Sequence, residues 1–294
     1  MRLAKLWTPA ERADSQKESL AVEPLMSVSP VIAVIAAGDM GAGIGARLTG
    51  RGARVLTSLA GRSAASRARA EAAGMSDASD LEIAAADMIL SIVPPGEALA
   101  LAERLAPALA GSARKALYVD CNAVSPDTVR AIAAVIDQTG ATFADAGIIG
   151  LAPKPGGYTP AIYSSGSGAA AFAELNPFGM DIRVMDGPVG QASALKMSYA
   201  GLTKGLHAIG VSVILGAVEA GVADTFFAEL ADSQPHLLAY FTSRTPGIFA
   251  KAYRWVAEME EIGDFLGGPG ERIYDGMAAQ FQRLATDQAV VCAP

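Results

Sequence analysis

Two apolar patterns alternate along the first two thirds of this chain. Residues 31–36 read VIAVIA, apolar throughout and rich in β-branched side chains, as a strand covered on both faces of a parallel sheet does. A glycine-rich segment follows at once, Gly38-Asp39-Met40-Gly41-Ala42-Gly43, and then a helical pattern to Arg51 with Gly52 in the C′ position. Further strands are predicted at 54–59, 87–93, 116–121 and 142–146, with helices at 64–73, 97–109 and 126–138 between them. Short strands are predicted at 160–164 and 182–185. Alternation of this kind predicts an α/β domain with a parallel sheet and helices on both faces.

The alternation stops after Pro188. Residues 191–222 carry one long helical pattern, and the remainder is helical, broken at Pro235, Pro246 and Gly267-Gly268. The chain therefore divides into residues 1–29, 30–188 and 189–294, the last all-α. Residues 1–29 carry scattered charges and no apolar h-region, which excludes a secretory signal and predicts a mobile tail. Met26 stands just ahead of the first strand.

Composition narrows the function. Of 294 residues 51% are hydrophobic and 18% charged, enough for a sizeable core and too apolar for disorder. The net charge of -7 repels nucleic acid, and the basic residues form no run. Cys121 and Cys292 are far apart, which speaks against a disulfide framework and for a reducing, cytoplasmic setting. His207 and His236 are too few and too separated for a metal site. Residues 206–222 are apolar but include His207, Glu219 and several glycines, so no membrane span is predicted. A small molecule remains as the partner.

A strand running into a glycine turn and a helix suits a pyrophosphate: the tight turn exposes backbone N–H groups, and the helix start adds about half a positive charge. In the G-x-G-x-x-G pattern the first place is Ala36, while Gly38 and Gly41 hold the second and third. The end of the second strand discriminates between dinucleotides. It reads Leu59-Ala60-Gly61-Arg62-Ser63, without the acid that binds a ribose 2′-hydroxyl. Arg62 and Ser63 can instead bond a 2′-phosphate, so NADP is predicted. The ligand of an open α/β sheet lies beyond the strand carboxyl ends, which brings in Val93, Pro94 and Asn122. Asn122 reads two ways, as a polar group near the nicotinamide or as a turn or cap residue.

The segment from Gly187 to Lys196 joins the two domains and opens the long helix. Tyr199, Thr203 and His207 share a face with Lys196. A partly buried lysine has a lowered pKa, which suits it to exchange a proton with a substrate hydroxyl as hydride moves. Arg254, Glu258 and Glu261 stand at helical spacing and predict an ion-pair ladder. Tyr253 and Trp255 read as core or dimer contacts, and nothing beside Cys121 suggests an activated thiolate.

Together these residues resemble the β-hydroxyacid dehydrogenase family, and most closely a phosphogluconate-dehydrogenase-like branch with a divergent C-terminal domain. The likeness covers most of residues 30–262. It rests on the 36–41 turn, on Asp120-Cys121-Asn122-Ala123-Val124-Ser125-Pro126, on Asp145-Ala146-Gly147-Ile148-Ile149-Gly150, on the segment ending at Lys196, and on residues 252–262. The resemblance implies a Rossmann domain that binds NADP, Lys196 as general acid/base, and a homodimer with paired helical domains. Catalytic candidates are Lys196, Tyr199 and Asn122; substrate candidates are Ile149, Gly150, Thr203 and His207.

Two departures bear on the substrate. The family loop Asp-Ala-Pro-Val-Ser-Gly-Gly holds a carboxylate, but here its Pro is Gly147, its Ser is Ile149 and its final Gly is Leu151. An isoleucine cannot bond a carboxylate, which favours a larger or more apolar substrate. The family places Asn three residues after the lysine, where this chain has Tyr199, readable as a substrate-orienting hydroxyl, a proton-sharing group or a packing residue. Three functions follow: a β-hydroxy acid or alcohol dehydrogenase, a reductase of imines or other carbonyl-like bonds, or a non-catalytic NADP(H)-binding protein.

Overall fold

The computed structural model describes residues 29–154 and 157–291. The predicted tail lies outside the described residues except for Ser29. The first strand, β1 (Val31–Ile35), is apolar on both faces and almost wholly buried. It leads into α1 (Asp39–Thr49), then β2 (Arg54–Thr57), α2 (Ala64–Ala72), β3 (Ser76–Asp77), α3 (Asp80–Ala84), β4 (Met88–Ser91) and α4 (Ala98–Gly111). β5 (Leu117–Asp120), α5 (Pro126–Asp137), β6 (Thr142–Ile149), β7 (Ala161–Ser165), α6 (Ala169–Phe172) and β8 (Asp181–Val184) complete this part. Serine caps start three helices: Ser63 at α2, Ser79 in a capping box with Glu82 at α3, and Ser125 ahead of Pro126 at α5.

The sheet runs β3-β2-β1-β4-β5-β6-β7-β8. Apolar clusters cover both faces, one built on Ile32, Val34 and Ile44 and the other on Ile35, Ile89 and Leu105. Every pairing is parallel except β6 with β7. A parallel return needs a crossover, usually a helix, and the described residues between β6 and β7 contain none, so the chain doubles back. α1 ends at Thr49 with Gly50 as C-cap, earlier than the sequence pattern predicts; Gly52, at φ +92°, makes the turn that follows.

The helical part comprises α7 (Gln191–Glu219), α8 (Ala223–Ser233), α9 (Pro235–Arg244), α10 (Ala252–Leu266) and α11 (Gly268–Val291). Its core is Met197, Ala200, Val211, Met259, Ile262, Phe281 and Leu284, from α7, α10 and α11. α8 and α9 bury no residue. By length and composition α7 could cross a membrane, with a mean hydropathy of 1.5 over an 18-residue window of which 28% is buried. It also packs against β6, and there it carries Lys196.

Candidate active site

The carboxyl ends of β1, β4, β5 and β6 converge on one side of the sheet, and three local arrangements meet there. The first is the turn after β1. Gly38 is the N-cap of α1 in extended conformation, and no side chain caps the helix. A Cβ at Gly38 would meet nothing within 4 Å, whereas at Gly41 it would lie 1.9 Å from the Ala36 carbonyl oxygen. Gly41 thus permits close packing of α1 on the strand end, and Gly38 leaves open space above it. Asp39 is exposed in the first turn and Met40 is half-buried. An uncapped helix start beside open space fits a pyrophosphate, which would accept hydrogen bonds from its free N–H groups.

Beyond the end of β2, Arg62 is partly exposed and lies 3.8 Å from Glu97. The Ser63 hydroxyl already accepts the Ser66 N–H at 3.3 Å as the α2 cap. Two arginines that the sequence reading passed over brace this backbone. Arg67 donates to the Leu59 carbonyl at 2.6 Å, and Arg69 donates to the Ala37 carbonyl at 3.1 Å. Three arginines in eight residues, Arg62, Arg67 and Arg69, were the signal available.

The second arrangement ties β4 to β5. Asn122, 3% exposed, accepts the Val93 N–H at 2.7 Å and donates to Ser91 Oγ at 2.8 Å and Asp120 Oδ2 at 2.7 Å. The Asp120 carboxylate takes the Asn122 backbone N–H at 3.1 Å, so it is Asp120 that forms the Asx-type turn. Asn122 therefore has both ends of its amide engaged by protein and fixes the loop that carries Val93 and exposed Pro94. Burial pushes the Asp120 carboxyl up to about 7 against the hydrogen bonds from Asn122. Burial, with Asp120 and Asp145 nearby, also pushes the Cys121 thiol up, so it is not an activated thiolate.

The third is the junction with α7. Asp145, fully buried on β6, accepts the N–H groups of Gly190 (2.8 Å) and Ser193 (3.1 Å) and the hydroxyls of Ser193 (2.7 Å) and Ser165 (3.1 Å). A single carboxylate so caps α7 and fixes the angle at which it leaves the sheet. At Gly147 a Cβ would lie 2.8 Å from the Ala192 carbonyl and 3.0 Å from Lys196 Cβ. The glycine at this departure from the family loop is what lets α7 lie against β6. The Lys196 amine then donates to the Ile148 carbonyl at 2.8 Å. Burial lowers its pKa; Glu258 opposes that shift and Lys204 adds to it.

The remaining candidates lie at the end of β6 and along α7. Ile149 is half-buried. Gly150, at φ +136°, has the Tyr158 hydroxyl where a Cβ would stand, so Tyr158 brings a phenol to this loop that the sequence reading missed. Tyr199 is 50% exposed. The Thr203 hydroxyl bonds back to the Tyr199 carbonyl at 2.9 Å. His207 stacks between Tyr240 (5.0 Å) and Trp255 (5.8 Å), with Nε2 3.1 Å from the Tyr240 hydroxyl. Burial, then Arg244 and Lys204, lower its pKa.

The predicted ladder of Arg254, Glu258 and Glu261 does not form, because both acids face other elements. Glu258 pairs with Lys204 of α7. Glu261 accepts the Ser125 N–H at 2.6 Å and the Thr128 hydroxyl at 3.1 Å, capping α5. Each domain thus caps a helix of the other with a carboxylate. Among the described residues no group of three or more His, Cys, Asp or Glu is disposed to hold a metal ion. A cavity of about 290 Å³ lies at the opposite end of the strands, beside Pro30, Asp87, Leu117 and Thr142. Its cations are engaged, Arg114 by Asp87 and Lys115 by the carbonyls of Leu109 and Ala110.

Comparison with known proteins agrees with this fold. Residues 31–178 match the NAD binding domain of 6-phosphogluconate dehydrogenase, and residues 217–284 match a domain of unknown function, DUF1932. An uncharacterized 28.5 kDa protein of Methanothermus fervidus is 32% identical over 216 residues, 72% of this chain and 81% of that one. Among solved structures, the conserved protein MTH1747, described as similar to 3-hydroxyacid dehydrogenases, is 29% identical with a TM-score of 0.66, over 90% of this chain and 100% of that one. Mycobacterium tuberculosis 3-hydroxyisobutyrate dehydrogenase shares the fold at 20% identity and a TM-score of 0.68, over 89% and 96% of the two chains. A Myxococcus stipitatus imine reductase does so at 19% and 0.53, over 90% and 95%. The chain belongs to the 6-phosphogluconate-dehydrogenase-like β-hydroxyacid dehydrogenase family and has the scaffold of an NAD(P)-dependent oxidoreductase.

Proposed function

We propose that the protein is an NADP-dependent oxidoreductase acting on a β-hydroxy acid or related alcohol, with Lys196 as general acid/base. The observation that carries this reading is the Lys196 amine, desolvated and fixed at the carboxyl end of β6 on a helix that Asp145 holds in place. When bound, the nicotinamide supplies or accepts the hydride. In oxidation the neutral amine takes the substrate hydroxyl proton; in reduction the ammonium returns one to the carbonyl oxygen. The α1 start and Gly38 would receive the pyrophosphate, and Asn122 holds the Val93–Pro94 loop that would border the nicotinamide. Arg62 stands where no acid occupies residues 59–63 at the strand end; its contact with Glu97 at 3.8 Å leaves it partly exposed, and it favours the 2′-phosphate of NADP, with Arg67 and Arg69 keeping that backbone in place. We take residues 30–188 as the NADP-binding domain and 189–294 as the substrate and dimerisation domain of a cytoplasmic homodimer. Leu202, Ile209 and Val213 on α7 and Ile273 on α11 are all about half or more exposed, an apolar face suited to a second copy.

The test is a screen of hydroxy acids, aldehydes and imines with NADP(H) and NAD(H), beside Lys196→Ala. We expect that variant to lose roughly 10²–10⁴-fold in turnover and the native protein to prefer NADP(H). Undiminished turnover in the variant removes Lys196 from the chemistry, and an NAD preference removes the role of Arg62. Sedimentation as a monomer removes the dimer. Reduction of imines is the second reading: Ile149 offers no side-chain donor for a carboxylate, so turnover of imines alone would favour it. Tight NADPH binding without turnover of any compound would favour a binding protein.

A further inference from the structure

Two loops flank the open turn at Gly38, and one ion pair joins them. β1 lies between β2 and β4 in the sheet. Arg62 stands beyond β2 and Glu97 beyond β4, and their side chains meet at 3.8 Å, 31% and 54% exposed. The contact therefore reaches across the end of β1, the strand that leads into Gly38. Other groups already shape both loops. Arg67 donates to the carbonyls of Leu59 and Arg62 at 2.6 and 3.3 Å, and the Asp77 carboxylate accepts the Leu59 N–H at 2.8 Å. Glu97 gives its own N–H to the Pro94 carbonyl at 2.9 Å, in a turn stiffened by Pro94 and Pro95. Glu97 directly precedes α4, yet its carboxylate does not cap that helix and turns to Arg62 instead.

At 3.8 Å the pair is longer than a hydrogen bond, and exposed pairs of this kind contribute little to stability. A loose pair across a ligand seat acts instead on what binds there. A phosphate monoester carries about -1.5 to -2 charge at neutral pH and takes an arginine as its partner. A ribose hydroxyl carries no charge and can donate to a carboxylate. We propose that Glu97 is a specificity-determining residue of the dinucleotide site: it competes with the 2′-phosphate for Arg62 and so holds the preference for NADP over NAD below what Arg62 alone would give. Glu97 acts in two ways, by neutralising Arg62 and by repelling the phosphate with its own charge. Neither acts on a 2′-hydroxyl. The inference rests on reading Arg62 as the partner of the 2′-phosphate. Arg67 and Arg69 do not replace it, because both donate to backbone carbonyls.

The experiment is a binding measurement and needs no substrate. The full chain is titrated calorimetrically with NADPH and NADH, and with two fragments, adenosine 2′,5′-bisphosphate and 5′-AMP, that differ only in the 2′-phosphate. Both side chains are partly exposed, so the variants should keep the fold. In Glu97→Gln, NADPH and the bisphosphate should bind about fivefold more tightly, while NADH and 5′-AMP should change less than about twofold. In about 1 M salt, where charges are screened beyond ~3 Å, most of that gain should vanish. An unchanged NADPH affinity in Glu97→Gln overturns the proposal. A weakened one overturns it too, and makes Glu97 a support for Arg62 rather than its competitor. An equal gain for NADPH and NADH also overturns it, since Glu97 would then act on a part the two dinucleotides share. Failure of the underlying reading looks different: Arg62→Gln would leave the ratio of NADPH to NADH affinity at its native value. If Arg62 does hold the phosphate, that variant loses the preference, and adding Glu97→Gln to it should gain less than in the native chain.

Discussion

The starts of α1 and α7 use the same physics and end in opposite states. Both follow a strand end, both present unpaired N–H groups and the positive end of a helix dipole, and both take a glycine as N-cap. At α7 the chain supplies its own anion: Asp145 fills the site with four hydrogen bonds and no solvent access. At α1 no side chain reaches the cap, and the space over Gly38 is open. A helix start satisfied from within is a joint. One left unsatisfied beside a strand end is a seat for an anionic group brought from outside.

The largest expected effect comes from emptying the filled start. Asp145→Ala leaves the buried N–H groups of Gly190 and Ser193 and the hydroxyls of Ser193 and Ser165 without their acceptor. At about 1–3 kcal/mol for each orphaned group, partly offset by relaxation, the loss should be on the order of 3–5 kcal/mol, read as a shift in urea midpoint. Freed α7 would also carry Lys196 away from Ile148, so turnover should fall with stability. A midpoint within error of the native value would mean that Asp145 does not hold the joint.

Most of this architecture was legible in the sequence because its signals are local. The apolar run into Gly38 and Gly41, the switch of periodicity after Pro188 and the glycine-rich entry to Lys196 each depend on neighbours in the chain. The pair β3 and α3 escaped because two and five residues are too short to show a period, although Ser79 and Glu82 spell a capping box. The reversed β7 escaped because strand direction depends on the connection, not on the strand's composition. The ladder on α10 was misassigned for a related reason. Helical spacing puts Arg254, Glu258 and Glu261 near one another, but buried Glu258 and half-buried Glu261 turn to other elements, where Lys204 and the start of α5 engage them in place of an exposed neighbour. Long-range polar pairing of this kind, Asp145 with α7 included, leaves no periodic trace.

A smaller effect concerns the acid that faces Asp145 across the sheet. Asp120 and Asp145 are register partners on β5 and β6, yet Asp120 has only the two bonds from Asn122. Its carboxyl is pushed up to about 7 by burial, while an unfolded aspartate titrates near ~3.9. The folded state therefore retains a proton that the unfolded chain loses. The stability this contributes is complete below the unfolded value and is lost as pH rises through about 7. Native Tm should decline from pH 5 to pH 8 with a component that Asp120→Asn removes, at a cost of about 1–3 kcal/mol for the disturbed bond to Asn122. A slope unaltered in the variant would place the titrating group elsewhere.

The smallest change in stability should accompany the change that fills the open start. Gly38 has φ -74°, where alanine is unstrained, and its Cβ would touch nothing. Gly38→Ala should therefore shift stability by no more than ~0.5 kcal/mol, while the methyl group occupies the space a pyrophosphate needs. NADPH affinity, measured by fluorescence titration, should fall at least roughly tenfold, equivalent to about 1.4 kcal/mol. Gly41→Ala makes the contrast, since its Cβ would strike the Ala36 carbonyl and should lower the melting temperature as well. If Gly38→Ala bound NADPH as the native protein does, the open helix start would not be where the dinucleotide sits, and the distinction between the two starts would lose its functional meaning.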